Sequence, residues 1–99
     1  MRLTAEQAAI IRQSARASFG PRARVWLFGS RTDDRKRGGD IDLLVKPDQD
    51  MSDSLLLRKI RFLGQLERAL GEQKIDVVIE HEHDPRPIVE IARQTGIEL

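Results

Sequence analysis

Residues Val25-Trp26-Leu27-Phe28 form a short apolar run that ends in Gly29-Ser30-Arg31, and after a polar stretch Asp40-Ile41-Asp42 opens a second apolar run, Leu43-Leu44-Val45. A strand that stops in a Gly-Ser turn, followed by a strand that begins with two carboxylates, leaves few folds open. Side chains alternate along a strand, so Asp40 and Asp42 project to the same face. Two hard anionic oxygen donors on one rigid face suit Mg²⁺, and a nearby Gly-Ser turn can hold the phosphates that Mg²⁺ brings. The combination points to nucleotidyl transfer.

The rest of the chain reads as helices and strands alternating around this pair. Thr4 and Gln7 have the spacing of a capping box. Ala8, Ile11, Ala15 and Phe19 recur at helical spacing, and Gly20-Pro21 stops that helix. Ala23 to Phe28 is a strand buried on both faces. Ser30 to Gly39 is a loop, and Ile41 to Lys46 is the second strand. After a turn over Pro47 to Ser52, Ser52 or Asp53 is expected to cap a long helix. Its buried stripe is Leu56, Ile60, Leu63, Leu66 and Leu70, and Gly71 closes it. Lys74 to Glu80 is the third strand. Asp84-Pro85-Arg86-Pro87 breaks the chain before a short helix with Ile88, Ile91 and Ala92, which ends near Gly96. The expected fold class is α/β, two-layer, with a short mixed β-sheet of three or four strands and helices on one face.

Asp76 adds a third carboxylate, in the middle of the third strand between apolar neighbours. If this strand lies beside the second with Ile75, Val77 and Ile79 toward the helices, Asp76 shares the face of Asp40 and Asp42. Cross-strand neighbours have Cβ atoms about 4.5–5.5 Å apart. Three carboxylates that close repel one another unless a cation joins them. Two metals about 3.5–4 Å apart could use all three as ligands, with Asp76 as ligand or general base. Glycine at position 29 permits a tight turn, and Ser30 with the local N–H groups can donate to a β- or γ-phosphate. Arg31 would add a charge-assisted contact. No Gly-Lys-Ser/Thr follows, so this is not a Walker A loop.

The pattern Gly29-Ser30-Arg31 … Gly39-Asp40-Ile41-Asp42, with Asp76 on a later strand, resembles the DNA polymerase β-type nucleotidyltransferase superfamily. The small size is similar to its minimal nucleotidyltransferases (MNT). The resemblance runs from Ala23 to Ile79, with flanking helices in the expected places. It implies that Ser30 binds the triphosphate, that Asp40 and Asp42 bind two Mg²⁺ ions, and that Asp76 completes the catalytic metal site. Many minimal members resemble antitoxins encoded beside an all-helical HEPN-type toxin, to which they transfer AMP from ATP. Where such antitoxins often carry Gly-Ser-x-Ala-x-Gly or an Arg-Gly run, this chain has Thr32-Asp33-Asp34-Arg35 after Arg31.

Composition sets the limits of that reading. Ninety-nine residues suit one domain, taken as residues 1–99, with little room for a second module. Seventeen basic and 16 acidic residues leave a net charge of +1, which argues against direct nucleic-acid binding. There is no cysteine, so thiolate chemistry is excluded and a reducing compartment fits. No apolar run approaches the roughly 18 residues of a membrane span, so a cytoplasmic protein without a membrane partner is expected.

The expected activity is therefore adenylylation of a hydroxyl on a separate helical protein, in a hetero-oligomer with it. The alternative is a binding module that neutralises a HEPN-type toxin by direct masking. A transferase that modifies small molecules alone is a third reading, disfavoured by the lack of a substrate domain. Arg35, Lys36 and Arg37 are read as a solvated loop, partly neutralised by Asp33 and Asp34. His81-Glu82-His83-Asp84 is read as an exposed strand exit, since two histidines at i, i+2 without a distant third ligand make a poor metal tract. Trp26 is assigned to the core. Leu55, Leu57 and Phe62, off the long helix's stripe, are offered as a partner surface.

Overall fold

The structure, a computed structural model, describes residues 3–29, 40–49, 53–71 and 73–99. Helix α1 spans Ala5–Phe19, strand β1 Arg24–Phe28 and strand β2 Ile41–Lys46. Helix α2 spans Leu55–Leu70, strand β3 Ile75–Ile79, helix α3 Pro87–Thr95 and strand β4 Ile97–Glu98. The strands form one sheet in the order β3-β2-β1-β4. β1 is antiparallel to both β2 and β4, whereas β2 and β3 are parallel and joined through α2. The sheet is thus mixed, and the fold is α/β as expected.

The capping box at α1 is present in both directions. The Gln7 N–H donates to Thr4 Oγ1 at 3.0 Å, and the Thr4 N–H donates to Gln7 Oε1 at 2.9 Å. These bonds satisfy two of the N–H groups that a helix start leaves without partners. Ala8, Ile11, Ala15 and Phe19 are buried on the face that the spacing predicts. Phe19 meets Phe62 of α2 edge to face, with ring centroids 5.5 Å apart. Around this contact lies the main core, where Val25, Leu27, Ile41, Leu43, Val45, Val77 and Ile79 face the two helices.

The other face of the sheet departs from the expected one-sided layering. Trp26, Leu44 and Val78 stand in one row across β1, β2 and β3, and Val89 and Ala92 of α3 cover them. A half-sheet that is apolar on both faces needs two covering layers, and α3 supplies the second. Arg93 of α3 donates to Glu80 Oε1 and lies over the Trp26 ring at 5.5 Å. Arg24 stacks on the same ring at 4.7 Å and makes two bonds to Glu98 of β4, at 2.9 and 2.7 Å. Trp26 is a core residue, as expected.

Helix α2 differs from its expected register and start. Phe62 and Leu66 are its buried residues, whereas Leu56 is 71% and Ile60 58% exposed. The buried stripe runs through Leu55, Phe62, Leu63, Leu66 and Leu70. Phe62 thus belongs to the core rather than to a partner surface, and Leu55 packs against that core. The residue before the helix is Ser54, in a left-handed conformation at φ 53° with no side-chain cap bond. Asp53 instead accepts from Arg58, whose Nε reaches the Asp53 carbonyl at 2.9 Å and whose Nη1 reaches the Ser18 carbonyl at 3.1 Å. That arrangement ties the start of α2 to the end of α1. Ser52 lies outside the described residues.

Candidate active site

At the carboxylate end of the sheet, three side chains share one row. Phe28 at the end of β1 is opposite Asp42 on β2, and Asp42 is opposite Asp76 on β3. Parallel pairing in this register sets the two aspartates side by side on the face away from α1 and α2. Ile41 and Leu43, on either side of Asp42, point into the main core. Asp40 precedes β2 by one residue, and the Ile41 N–H donates to the Lys74 carbonyl at 3.0 Å. The start of β3 is thereby fixed against the start of β2.

Burial raises the Asp42 carboxyl above its ordinary value, and the charges of Asp76 and then Asp40 push it further. Lys74 opposes that push. The Lys74 ammonium lies 3.6 Å from Asp40 Oδ2. In the sequence Lys74 stands only as the first residue of the expected third strand. Its signal was present, because a lysine two residues before Asp76 alternates onto the face of that carboxylate.

Gly29 completes the described part of the site. Its φ is +78°, a region that L side chains rarely adopt. A Cβ placed there would press into Asp42 Oδ2 and lie 3.2 Å from Asp42 Cγ. The Asp42 carboxylate occupies the space that a side chain at position 29 would need. The close approach of backbone to carboxylate therefore requires glycine. Ser30 and Arg31, expected to hold the phosphates, lie outside the described residues, as does the Arg35-Lys36-Arg37 cluster.

The donor chemistry fits a hard divalent cation: Asp42 and Asp76 are adjacent anionic oxygen donors, and Asp40 is two residues from Asp42. Among the described residues, however, no three His, Asp or Glu side chains are gathered to hold a metal. Asp40 is paired with Lys74. His81 and His83 stand in the exposed turn after β3, and His83 Nε2 lies 3.6 Å from Glu82 Oε1. Asp84 accepts from Arg86 at 2.6 Å and from the His81 N–H at 3.1 Å, and the Arg86 bonds hold its carboxyl well below the usual range. It anchors the turn, as expected of a strand exit.

A cleft of about 840 Å³ lies at the opposite end of β2 and β3, lined by residues that include Lys46, Asp48, Glu80 and His81. None of Asp40, Asp42 or Asp76 lines it. The charged row lies at the other end of these strands, where Asp40 and Asp42 are half-buried and Asp76 is exposed. Among the described residues, no helix is long and apolar enough to cross a membrane.

A family model described as a nucleotidyltransferase domain matches residues 9–95. That span takes in β1, β2, β3 and all three carboxylates. No curated protein matches the chain.

Proposed function

Since the chain belongs to the nucleotidyltransferase domain family, we propose that it transfers AMP from ATP to a hydroxyl of a partner protein, with Mg²⁺ bound at Asp40, Asp42 and Asp76. The observation that carries this reading is the register of Asp42 beside Asp76, with the bare backbone of Gly29 packed against Asp42. Mg²⁺ bound there would neutralise the triphosphate and lower the pKa of the attacking hydroxyl. The acceptor oxygen forms a new bond to the α-phosphorus as the bond to the bridging oxygen breaks, releasing pyrophosphate. The hydroxyl proton goes to an Asp76 carboxylate oxygen. Ser30 and Arg31 hold the β- and γ-phosphates.

A protein acceptor is supported by the surface of α2. Leu56, Leu57 and Ile60 are exposed together within about one helical turn. Lys59 and Arg61 flank them, so an apolar surface with an acidic rim would fit. A HEPN-type toxin encoded beside this protein is the proposed partner, and the chain is its antitoxin. The same patch favours a second reading, in which the chain neutralises the toxin by masking it without catalysis.

The test is transfer of label from α-labelled ATP with Mg²⁺ to the neighbouring gene product, comparing wild type with Asp42→Asn. Label with wild type alone supports adenylylation. A stable complex without label from either protein supports masking.

A further inference from the structure

We propose that Lys74 is a built-in counter-ion of the carboxylate row, a positioning residue that holds Asp40 until a divalent cation and its nucleotide take over. The proposal rests on the metal-dependent reading above. Three observations meet at this residue. Its ammonium lies 3.6 Å from Asp40 Oδ2. Its carbonyl accepts from the Ile41 N–H at 3.0 Å, which fixes the stem of Lys74 beside the residue that separates Asp40 from Asp42. It stands two residues before Asp76, so strand alternation aims it at the same face.

Among the described residues, the other cations near the sheet are committed or distant. Arg24 is bound to Glu98, Arg93 to Glu80, and Lys46 lies at the far end of β2. Among the described residues, no other cation pairs with a carboxylate of the row.

Lys74 is suited to leave. Its side chain is 73% exposed, and an exposed lysine–carboxylate pair gains little over solvation. The four-carbon stem carries a point charge that can be redirected without moving the backbone. While it faces Asp40, it competes with a metal ion for the same oxygen. When a metal arrives with a nucleotide, Asp40 turns to the metal, and the freed ammonium finds a new anion in the triphosphate. The two roles predict effects of opposite sign. Loss of Lys74 should strengthen binding of a bare divalent cation and weaken binding of the nucleotide.

The experiment measures Mn²⁺ binding without nucleotide, by electron paramagnetic resonance, in wild type, Lys74→Ala, Lys74→Arg and Lys46→Ala. KM and kcat for Mg-ATP are measured in the same set. Lys74→Ala is expected to bind Mn²⁺ on the order of 3–10-fold more tightly, the scale of removing one charge a few ångströms away through water. Its KM for Mg-ATP should rise several-fold, with a smaller change in kcat. Lys74→Arg should stay near wild type. Lys46→Ala, which changes net charge equally at the other end of the strand, should leave Mn²⁺ affinity unchanged. Mn²⁺ affinity that is unchanged or weaker in Lys74→Ala, or an equal gain in Lys46→Ala, would overturn the proposal alone. Absence of Mn²⁺ binding in wild type would overturn both this proposal and the metal site on which it rests.

Discussion

Gly29 and Asp42 are constrained together. The backbone at position 29 is left-handed, and the space beside it is filled by the Asp42 carboxylate. Gly29→Ala should therefore cost about 1–2 kcal/mol for the backbone conformation, and overpacking adds about 1–3 kcal/mol. Urea denaturation measures the sum, and label transfer should fall with it as Asp42 is displaced. Asp42→Asn should behave in the opposite way, with transfer lost and the fold kept. The sign follows from linkage. The folded-state pKa of Asp42 is raised above 3.8 by burial and by two neighbouring carboxylates, so the folded chain holds the proton more tightly than the unfolded one. Ionised Asp42 then opposes folding, and stability falls as pH rises from about the unfolded value through the raised one. At pH 7, without added divalent cation, Asp42→Asn should melt at or above the wild-type temperature. The difference should close as pH is lowered to the ordinary carboxylate range. A lower melting temperature for Asp42→Asn at pH 7 would contradict this account.

Helix α2 shows how far periodicity carries and where it stops. Leu63, Leu66 and Leu70 were legible as core because nothing competes with them in the last turns. Leu55-Leu56-Leu57 gives no phase, since three leucines in sequence point to three sides of a helix. Contact with Phe19 selects Phe62, and the register of the first turns follows from that tertiary contact. Phe62→Ala should cost about 3–5 kcal/mol and Leu66→Ala about 2–5 kcal/mol in urea denaturation. Leu56→Ser and Ile60→Ser should stay within about 0.5 kcal/mol of wild type. The reverse order would restore the stripe that spacing alone suggests. Helix α3 was legible as a helix but not as a second layer. The clue lay in the strands, where Trp26, Leu44 and Val78 are apolar on the face that also carries Asp42 and Asp76. An apolar row two residues from a charged row means that one end of a face is covered and the other open.

Across the whole molecule, the sheet separates stability from chemistry. Its helix-covered faces bury the core, and the charged row lies where β1 ends and β2 and β3 begin. Asp40, Asp42 and Asp76 could be placed on one face from sequence because strand alternation is strict, and the parallel register sets Asp42 beside Asp76. The pairing of Asp40 with Lys74 was not legible, because it depends on how the starts of two parallel strands are staggered. A row of like charges held on a rigid sheet is destabilising until a cation joins it, so ligand binding should appear as added stability. A ligand at about 100 times its Kd stabilises the folded state by roughly 2.7 kcal/mol. For a domain of this size, each kcal/mol shifts Tm by about 4–8 °C. Mg-ATP at that saturation should thus raise the wild-type Tm by roughly 10–20 °C. Mg²⁺ alone should give part of the shift, EDTA should remove it, and Asp42→Asn should show little response to either. A shift of equal size in Asp42→Asn would place nucleotide binding away from this row, and the cleft at the other end of β2 and β3 would then be the site to test.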